Sequence, residues 1–244
     1  MSFQFKQFTV AHDRCAMKVG LDAVFLGSWA TVPPNAANVL DIGTGSGVIA
    51  LMLAQRTEET TAIYGIENEP NAYEQACCNA QLSKWANRVH IVHANFNDFN
   101  RLIAEGVLPP KFDAIASNPP YFENQMLPPS DARTKARHAT ELTYSQLLNG
   151  VGSLLNEAGL FSVILPHPQA ISFRQQAADD YGLYCQKVVS LRQTEDKPIK
   201  RWLMQFGFTK PSEPQEGQYI IGGTHPSLFN QECKQLTQAF YLAL

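Results

Sequence analysis

The sequence predicts an α/β protein with a mostly parallel sheet and helices on both faces, and three observations lead there. From Asn38 onward, short apolar runs bounded by turn residues alternate with longer stretches of helical spacing, the pattern of repeated strand-helix units. A glycine-rich turn, Gly43-Thr44-Gly45-Ser46-Gly47, falls between the first such run and the first helix. Late in the chain two apolar runs follow each other with no room for a crossover helix, so they pair antiparallel.

Taken in order, residues 39–42 form the first strand and 46–55 its helix. Residues 63–66 form the second strand, and 70–82 a helix whose Pro70 suits a first turn. Residues 89–93 and 113–117 are the third and fourth strands. The helix over 144–155 places Leu147, Leu148, Val151, Leu154 and Leu155 on one face, with Gly159 ending it. Residues 160–165 form a fifth, continuously apolar strand, followed by a helix over 168–180. Strands over 183–191 and 202–208 make the antiparallel pair, and a helix over 230–241 closes the chain. That gives seven strands, one of them antiparallel. The long irregular segment 121–141 directly follows the fourth strand, and loops of such length in compact domains are usually functional.

Composition narrows the function classes. At 244 residues the chain is long enough for one large core without covalent staples. Hydrophobic residues at 45% and charged residues at 17% exclude a disordered chain, and no apolar run approaches the roughly 18 residues of a membrane span. The N-terminus has no basic, apolar and small-residue succession of a secretory signal, so a cytoplasmic protein is expected. Five scattered cysteines without a C-x-x-C pair read as reduced thiols and give no metal site. The net charge of −3 argues against a nucleic-acid partner unless basic residues cluster locally.

The turn Asp41-Ile42-Gly43-Thr44-Gly45-Ser46-Gly47 follows a strand and opens a helix, where closely spaced glycines let the backbone approach a nucleotide-like ligand. Val48 stands where a dinucleotide fingerprint wants glycine or alanine, which disfavours a nicotinamide enzyme. Glu67, 20 residues beyond Gly47 at the end of the second strand, can accept both hydroxyls of a ribose; Glu69 competes for that role. This pattern resembles the Rossmann-like, class I S-adenosylmethionine-dependent methyltransferases. The resemblance implies that Gly43, Thr44, Gly45 and Gly47 face the cofactor, that Asp41 sits close to its ammonium, and that Glu67 holds its ribose. It also implies an adenine contact after the third strand, where this chain has Asn95 rather than an acidic residue.

Asn118-Pro119-Pro120-Tyr121, immediately after the fourth strand, is the most specific feature. Two prolines fix their own φ angles, and the first restricts the residue before it, so the Asn118 side chain and the Pro119 carbonyl are held at a strand's C-terminal edge. Two fixed acceptors bind both protons of an NH2 group and stabilise the positive charge that grows on its nitrogen during methyl transfer. Tyr121 offers a stacking face for a planar group. The motif resembles that of methyltransferases acting on planar NH2 nitrogens: adenine N6, guanine N2 or glutamine amides.

Beyond these motifs the whole chain resembles the bacterial methyltransferases that modify adenine N6 at position 37 of a valine tRNA. The resemblance is carried by 3–8, 15–20, 22–30, 135–138 and 236–242. It implies tRNA, read at its anticodon loop, as the partner, S-adenosylmethionine as the cofactor, no metal, and a monomer. It also implies one methyltransferase domain over 1–244, with 1–37 packed over the cofactor side of a catalytic core at 38–244. Lys18, Arg133, Lys135, Arg137, His138, Lys197 and Lys200 are the candidate RNA contacts, with Met17 and Asp22 contributing from the N-terminal segment. Three rival readings are a methyltransferase of the same fold acting on a protein glutamine, a non-catalytic cofactor-binding scaffold, and a nicotinamide dehydrogenase.

Overall fold

The computed structural model describes residues 1–120 and 142–242. Its framework is a sheet in the order β10-β8-β9-β7-β6-β3-β4-β5. These strands are β3 (Asn38–Ile42), β4 (Ala62–Glu67), β5 (Val89–His93), β6 (Phe112–Ser117), β7 (Leu155–Pro166), β8 (Tyr184–Arg192), β9 (Arg201–Gly207) and β10 (Gln215–Ile220). β3 pairs in parallel with both β4 and β6, which places the glycine turn that follows β3 at the carboxyl edge of the sheet. Only β9 runs against its neighbours β7 and β8, so the antiparallel pair read from the sequence is present.

The sheet has eight strands rather than the expected seven. The eighth, β10, carries Gln215, Glu216, Gly217 and Gln218 on solvent and is held by parallel backbone pairing to β8. A strand with no buried face shows no apolar alternation, so periodicity passed over it. The N-terminal segment also forms a hairpin, β1 (Ser2–Gln4) with β2 (Thr9–Ala11), and a helix, α1 (Leu21–Trp29).

The remaining helices are α2 (Val48–Arg56), α3 (Pro70–Gln81), α4 (Phe99–Ala104), α5 (Tyr144–Leu154), α6 (His167–Tyr181) and α7 (Gln231–Thr237). They divide between two apolar layers. Val39 and Ile63 point to the layer with α1 and α2, whereas Leu40 and Ile42 point to the layer with α4, α5 and α6. Alternation along β3 therefore buries both faces, as a parallel sheet requires. The α1–α2 crossing depends on Gly27, where a Cβ would lie 2.7 Å from Met52 Sδ.

Two boundaries differ from the sequence reading. Gly159 does not end a helix. α5 already stops at Leu154, Leu155 is extended, and Gly159 lies within β7 in the irregular stretch between the Leu155 and Leu160 pairings, where a Cβ would meet Leu155 at 2.8 Å. The last helix ends at Thr237 rather than 241. Phe240 and Tyr241 leave it to bury themselves among the aromatic rings of the N-terminal strands, with Tyr241 centred 5.9 Å from Phe3.

The hairpin is fastened to the core by one buried amide. Asn79 on α3 accepts from the Ala11 amide at 2.9 Å and donates to the Ala11 carbonyl at 2.8 Å, and it also donates to the Ser46 carbonyl in the glycine turn at 2.8 Å. Asn79→Ala leaves one buried and two partly buried backbone groups without that partner and is expected to destabilise the fold by about 2 kcal/mol, measured by urea denaturation.

Candidate active site

Three consecutive alternate glycines build the turn between β3 and α2. Gly43, Gly45 and Gly47 have φ of 69°, 57° and 81°, in the left-handed region that residues with a side chain avoid. The amides of Gly43 and Thr44 both donate to the Ile66 carbonyl at 3.0 Å, which ties the turn to the end of β4. Gly65 permits that approach, since a Cβ there would lie 3.0 Å from Thr44 Oγ1.

Two carboxylates hold the turn from opposite sides. Asp41 is fully buried, and its Oδ2 accepts the Thr44 hydroxyl at 2.6 Å and the Ala50 amide at 3.1 Å. The latter bond supplies an acceptor to the first turn of α2, whose N-cap residue, Gly47, has no side chain to offer. Burial pushes the Asp41 carboxyl up to about 7 against the pull of these two hydrogen bonds. Its Oδ1 is buried without a partner among the described residues. Glu67 is spread across three amides, accepting Gly45 at 2.8 Å through Oε2, and Asn68 and Glu69 at 2.9 Å through Oε1. Glu69, its competitor in the sequence, uses its carboxylate to cap α3 through the amides of Asn71 and Ala72.

Beside this turn lies a cleft of about 360 Å³, within the range of small-ligand sites. Its walls are the turn itself, Met17 to Gly20, the first residues of α1 (Leu21, Asp22 and Ala23) and Asn118. A Cβ built on Gly43 or Gly45 would meet nothing within 4 Å, so the backbone of the turn is open to a ligand. Asn118 follows β6 and is half-buried; Ser117 beside it donates to the Ile42 carbonyl at 2.9 Å and aligns the ends of β6 and β3. Pro119 is buried and Pro120 exposed. The Asn118 side of the cleft and the glycine turn therefore share one edge of the sheet.

The other wall is built by unexpected partners. Lys18 donates to the carbonyls of His12, Cys15 and Asp13 at 2.9, 3.2 and 3.3 Å, so its ammonium shapes the loop before α1. His12 accepts the Val19 amide through Nδ1 at 3.0 Å, a bond that needs an unprotonated nitrogen; burial lowers the His12 pKa and favours that state. Asp22 pairs with Arg201 of β9 at 2.9 Å, joining α1 to the antiparallel strand.

Other sequence-predicted residues are not brought into the cleft. Asn95 is half-buried, and its oxygen accepts the Asn97 amide at 3.0 Å in the short turn after β5. Lys197 and Lys200 are exposed before β9, Lys197 lying 3.9 Å from Asp196. Tyr121, Arg133, Lys135, Arg137 and His138 lie outside the described residues. Asn79 and Arg201 organise the site without any local sequence pattern that marks them as neighbours of the cleft.

Comparison with known proteins adds to this geometry. Residues 24–155 match the family model described as the methyltransferase small domain. The chain is 42% identical over 240 residues to the tRNA1(Val) (adenine(37)-N6)-methyltransferase of Yersinia pestis strain Pestoides F, covering 98% of this chain and 93% of that one. It is equally similar to the protein of the same name from Yersinia pseudotuberculosis serotype O:3 strain YPIII, with 92% of that chain covered.

The chain belongs to the tRNA1(Val) (adenine(37)-N6)-methyltransferase family.

Among solved structures, a predicted O-methyltransferase from Agrobacterium tumefaciens superposes with a TM-score of 0.67 at 17% identity, covering 90% of this chain and 96% of that one. TrmN from Thermus thermophilus gives 0.54 at 22% identity, over 76% of this chain and 47% of that one. Both support the methyltransferase fold of this family member.

The buried carboxylate makes a testable feature of this family member. The folded-state pKa of Asp41 lies above the ordinary 3.8, so its contribution to stability is fully present below about pH 4 and is lost as the pH rises through about 7. Asp41→Asn carries no charge to bury. Relative to the parent protein its stability should therefore rise by roughly 2 to 4 kcal/mol between those values and level off above them, as read from denaturation midpoints across the range.

Proposed function

We propose that the protein transfers the methyl group of S-adenosylmethionine to the N6 amino group of adenine 37 in the anticodon loop of a valine tRNA. The observation that carries this reading is the 42% identity over nearly the full length of enzymes bearing that name. The cleft between the glycine turn and Asn118 supports it.

The chain's residues fit such a cofactor. The open, left-handed backbone at Gly43 and Gly45 admits a ligand that any side chain there would obstruct. Gly43, Thr44, Gly45 and Gly47 would hold it with Glu67, and Asp41 acts from beneath by fixing the turn; Asn95, outside the cleft walls with its oxygen on the Asn97 amide, is given no part. Bound there, S-adenosylmethionine supplies an electrophilic methyl on a sulfonium. Asn118 and the Pro119 carbonyl accept hydrogen bonds from the two N–H groups of the adenine amino group, which aims the nitrogen lone pair into the cleft and steadies the charge that develops on it until one of those protons leaves to solvent. Pro120 keeps these acceptors rigid, and Tyr121, next in the motif, supplies the stacking face. Arg133, Lys135, Arg137, His138, Lys197 and Lys200 form the RNA rim, with Lys18 contributing through the loop it braces. An adenine in a single-stranded loop enters such a pocket at small cost in lost stacking.

The protein works as a monomer in the cytoplasm, as one catalytic domain with residues 1–37 over its cofactor side. The presence of Met17 to Ala23 in the cleft wall supports that arrangement. Among the described residues no helix is long and apolar enough to cross a membrane, and no group of three or more His, Cys, Asp or Glu side chains could hold a metal.

Incubating the protein with labelled S-adenosylmethionine and tRNA lacking the modification, with a release factor as a parallel substrate, tests the assignment. N6-methyladenosine in the tRNA is expected; label in the protein substrate alone would overturn it. Asn118→Ala should lower kcat by at least about a hundredfold while cofactor binding by calorimetry is unchanged, and full turnover by that variant would contradict the role given to this residue.

A further inference from the structure

The layer of helices on the α6 face does not reach the edge of the sheet. Where α6 ends its cover, a groove of about 460 Å³ separates it from β8, β9 and the segment after β9. From α6 it presents Ile171, half exposed at 50%, and Arg174; from the sheet it presents Tyr184 and Trp202; from the segment after β9 it presents Lys210. Among the described lining residues Arg174 and Lys210 are charged and none is a carboxylate, the nearby Glu216 lying outside the lining but close enough to act on Cys185. Lys210 Nζ stands 5.6 Å from the Tyr184 ring centre, and Trp202 meets the His167 ring edge-on at 4.9 Å. Cations interleaved with half-buried aromatic rings suit a nucleic-acid strand, whose phosphates and unstacked bases need both.

The groove is also in the right place. Trp202 pairs with Leu165 of β7 at the carboxyl edge of the sheet, and Arg201 before it bonds Asp22 in the cleft wall. Successive residues of a strand face opposite sides, so Arg201 belongs to the cleft and Trp202 to the groove. From Trp202 to the end of β9 at Gly207 the strand runs roughly 17 Å. An RNA chain with its target base in the cleft can pass over this edge and continue along the other face.

We propose that this groove holds a segment of the substrate RNA outside the target loop, with phosphates on Arg174 and Lys210 and an unstacked base or ribose against Trp202 and Tyr184. The inference rests on the RNA substrate assigned above. It assigns to the antiparallel end of the sheet a binding role separate from methyl transfer.

The test compares the parent protein with Arg174→Gln, Lys210→Gln and the double variant, using full-length unmodified tRNA. Lys210 is exposed, so its variant keeps the proposal testable should the half-buried Arg174 position affect folding. The double variant should raise KM for tRNA about tenfold, leave kcat at saturating tRNA and the affinity for S-adenosylmethionine unchanged, and lower the slope of log affinity against log salt by about 1.5. Equal KM and equal salt slope in parent and variants would overturn the proposal, including the case in which the groove serves a protein. A parent protein that methylates no tRNA would instead overturn the substrate assignment, and this shows before any variant is compared.

Discussion

A carboxylate with no exposed surface, Asp41, accepts the Thr44 hydroxyl and the Ala50 amide through one oxygen, and so joins β3 to α2 across three left-handed glycines. The three glycines that permit the path of the turn have no side chains to hold it, and Thr44 holds it only by reaching Asp41. Its shape therefore depends on acceptors reaching in from outside: Asp41 below, Glu67 at the Gly45 amide, and the Ile66 carbonyl at Gly43 and Thr44. The arrangement costs the protein a buried, hard-to-ionise carboxyl. In return the backbone faces the cleft with nothing in front of it.

The opposite wall has a different logic. Residues 12–20 contain no regular element apart from the turn into α1, yet the segment is closely tied. A lysine ammonium spans three carbonyls, a buried histidine accepts an amide, and Asn79 clasps the hairpin on one side and the glycine turn on the other. Asn79 thus ties the hairpin that precedes one wall to the glycine turn that forms the other. Asp22 extends the link to β9 through Arg201.

β9 is thereby shared between two tasks. As the strand of the eight-stranded sheet that runs against its neighbours, it begins at the edge where the parallel strands end. Its first residues point alternately to the cleft side and to the α6 side of the sheet. Reaction chemistry and recognition of a large substrate can then occupy opposite faces, connected across one strand.

How much of this was legible in the sequence depended on whether the cause was local. The central strands β3, β6 and β7 were readable because burial on both faces leaves a continuous hydrophobic signature; β10 was not, because it is held by backbone pairing with β8 and its first four residues face water. The glycine turn and Asn118-Pro119-Pro120 were readable because glycine and proline act through backbone torsions that need no distant partner. The span of α5 was readable to within one residue, but Gly159 was wrongly made its terminator, because that glycine answers to packing against Leu155 within β7, not to a helix cap. Lys18 was a candidate RNA contact in the sequence, but three carbonyls within six residues claim it once the loop closes. By itself the sequence determined the order of the strands β3 to β9 with the main helices between them, and the two motifs at the carboxyl edge of the sheet, since each rests on torsion preference or periodicity. Only the tertiary structure decided that Asp41 lies beneath the turn, that Asn79 and Arg201 reach the site and that Trp202 opens onto a second surface. The Asn79 and Arg201 contacts join residues 33 and 179 positions apart, whose proximity is fixed by packing the whole sheet.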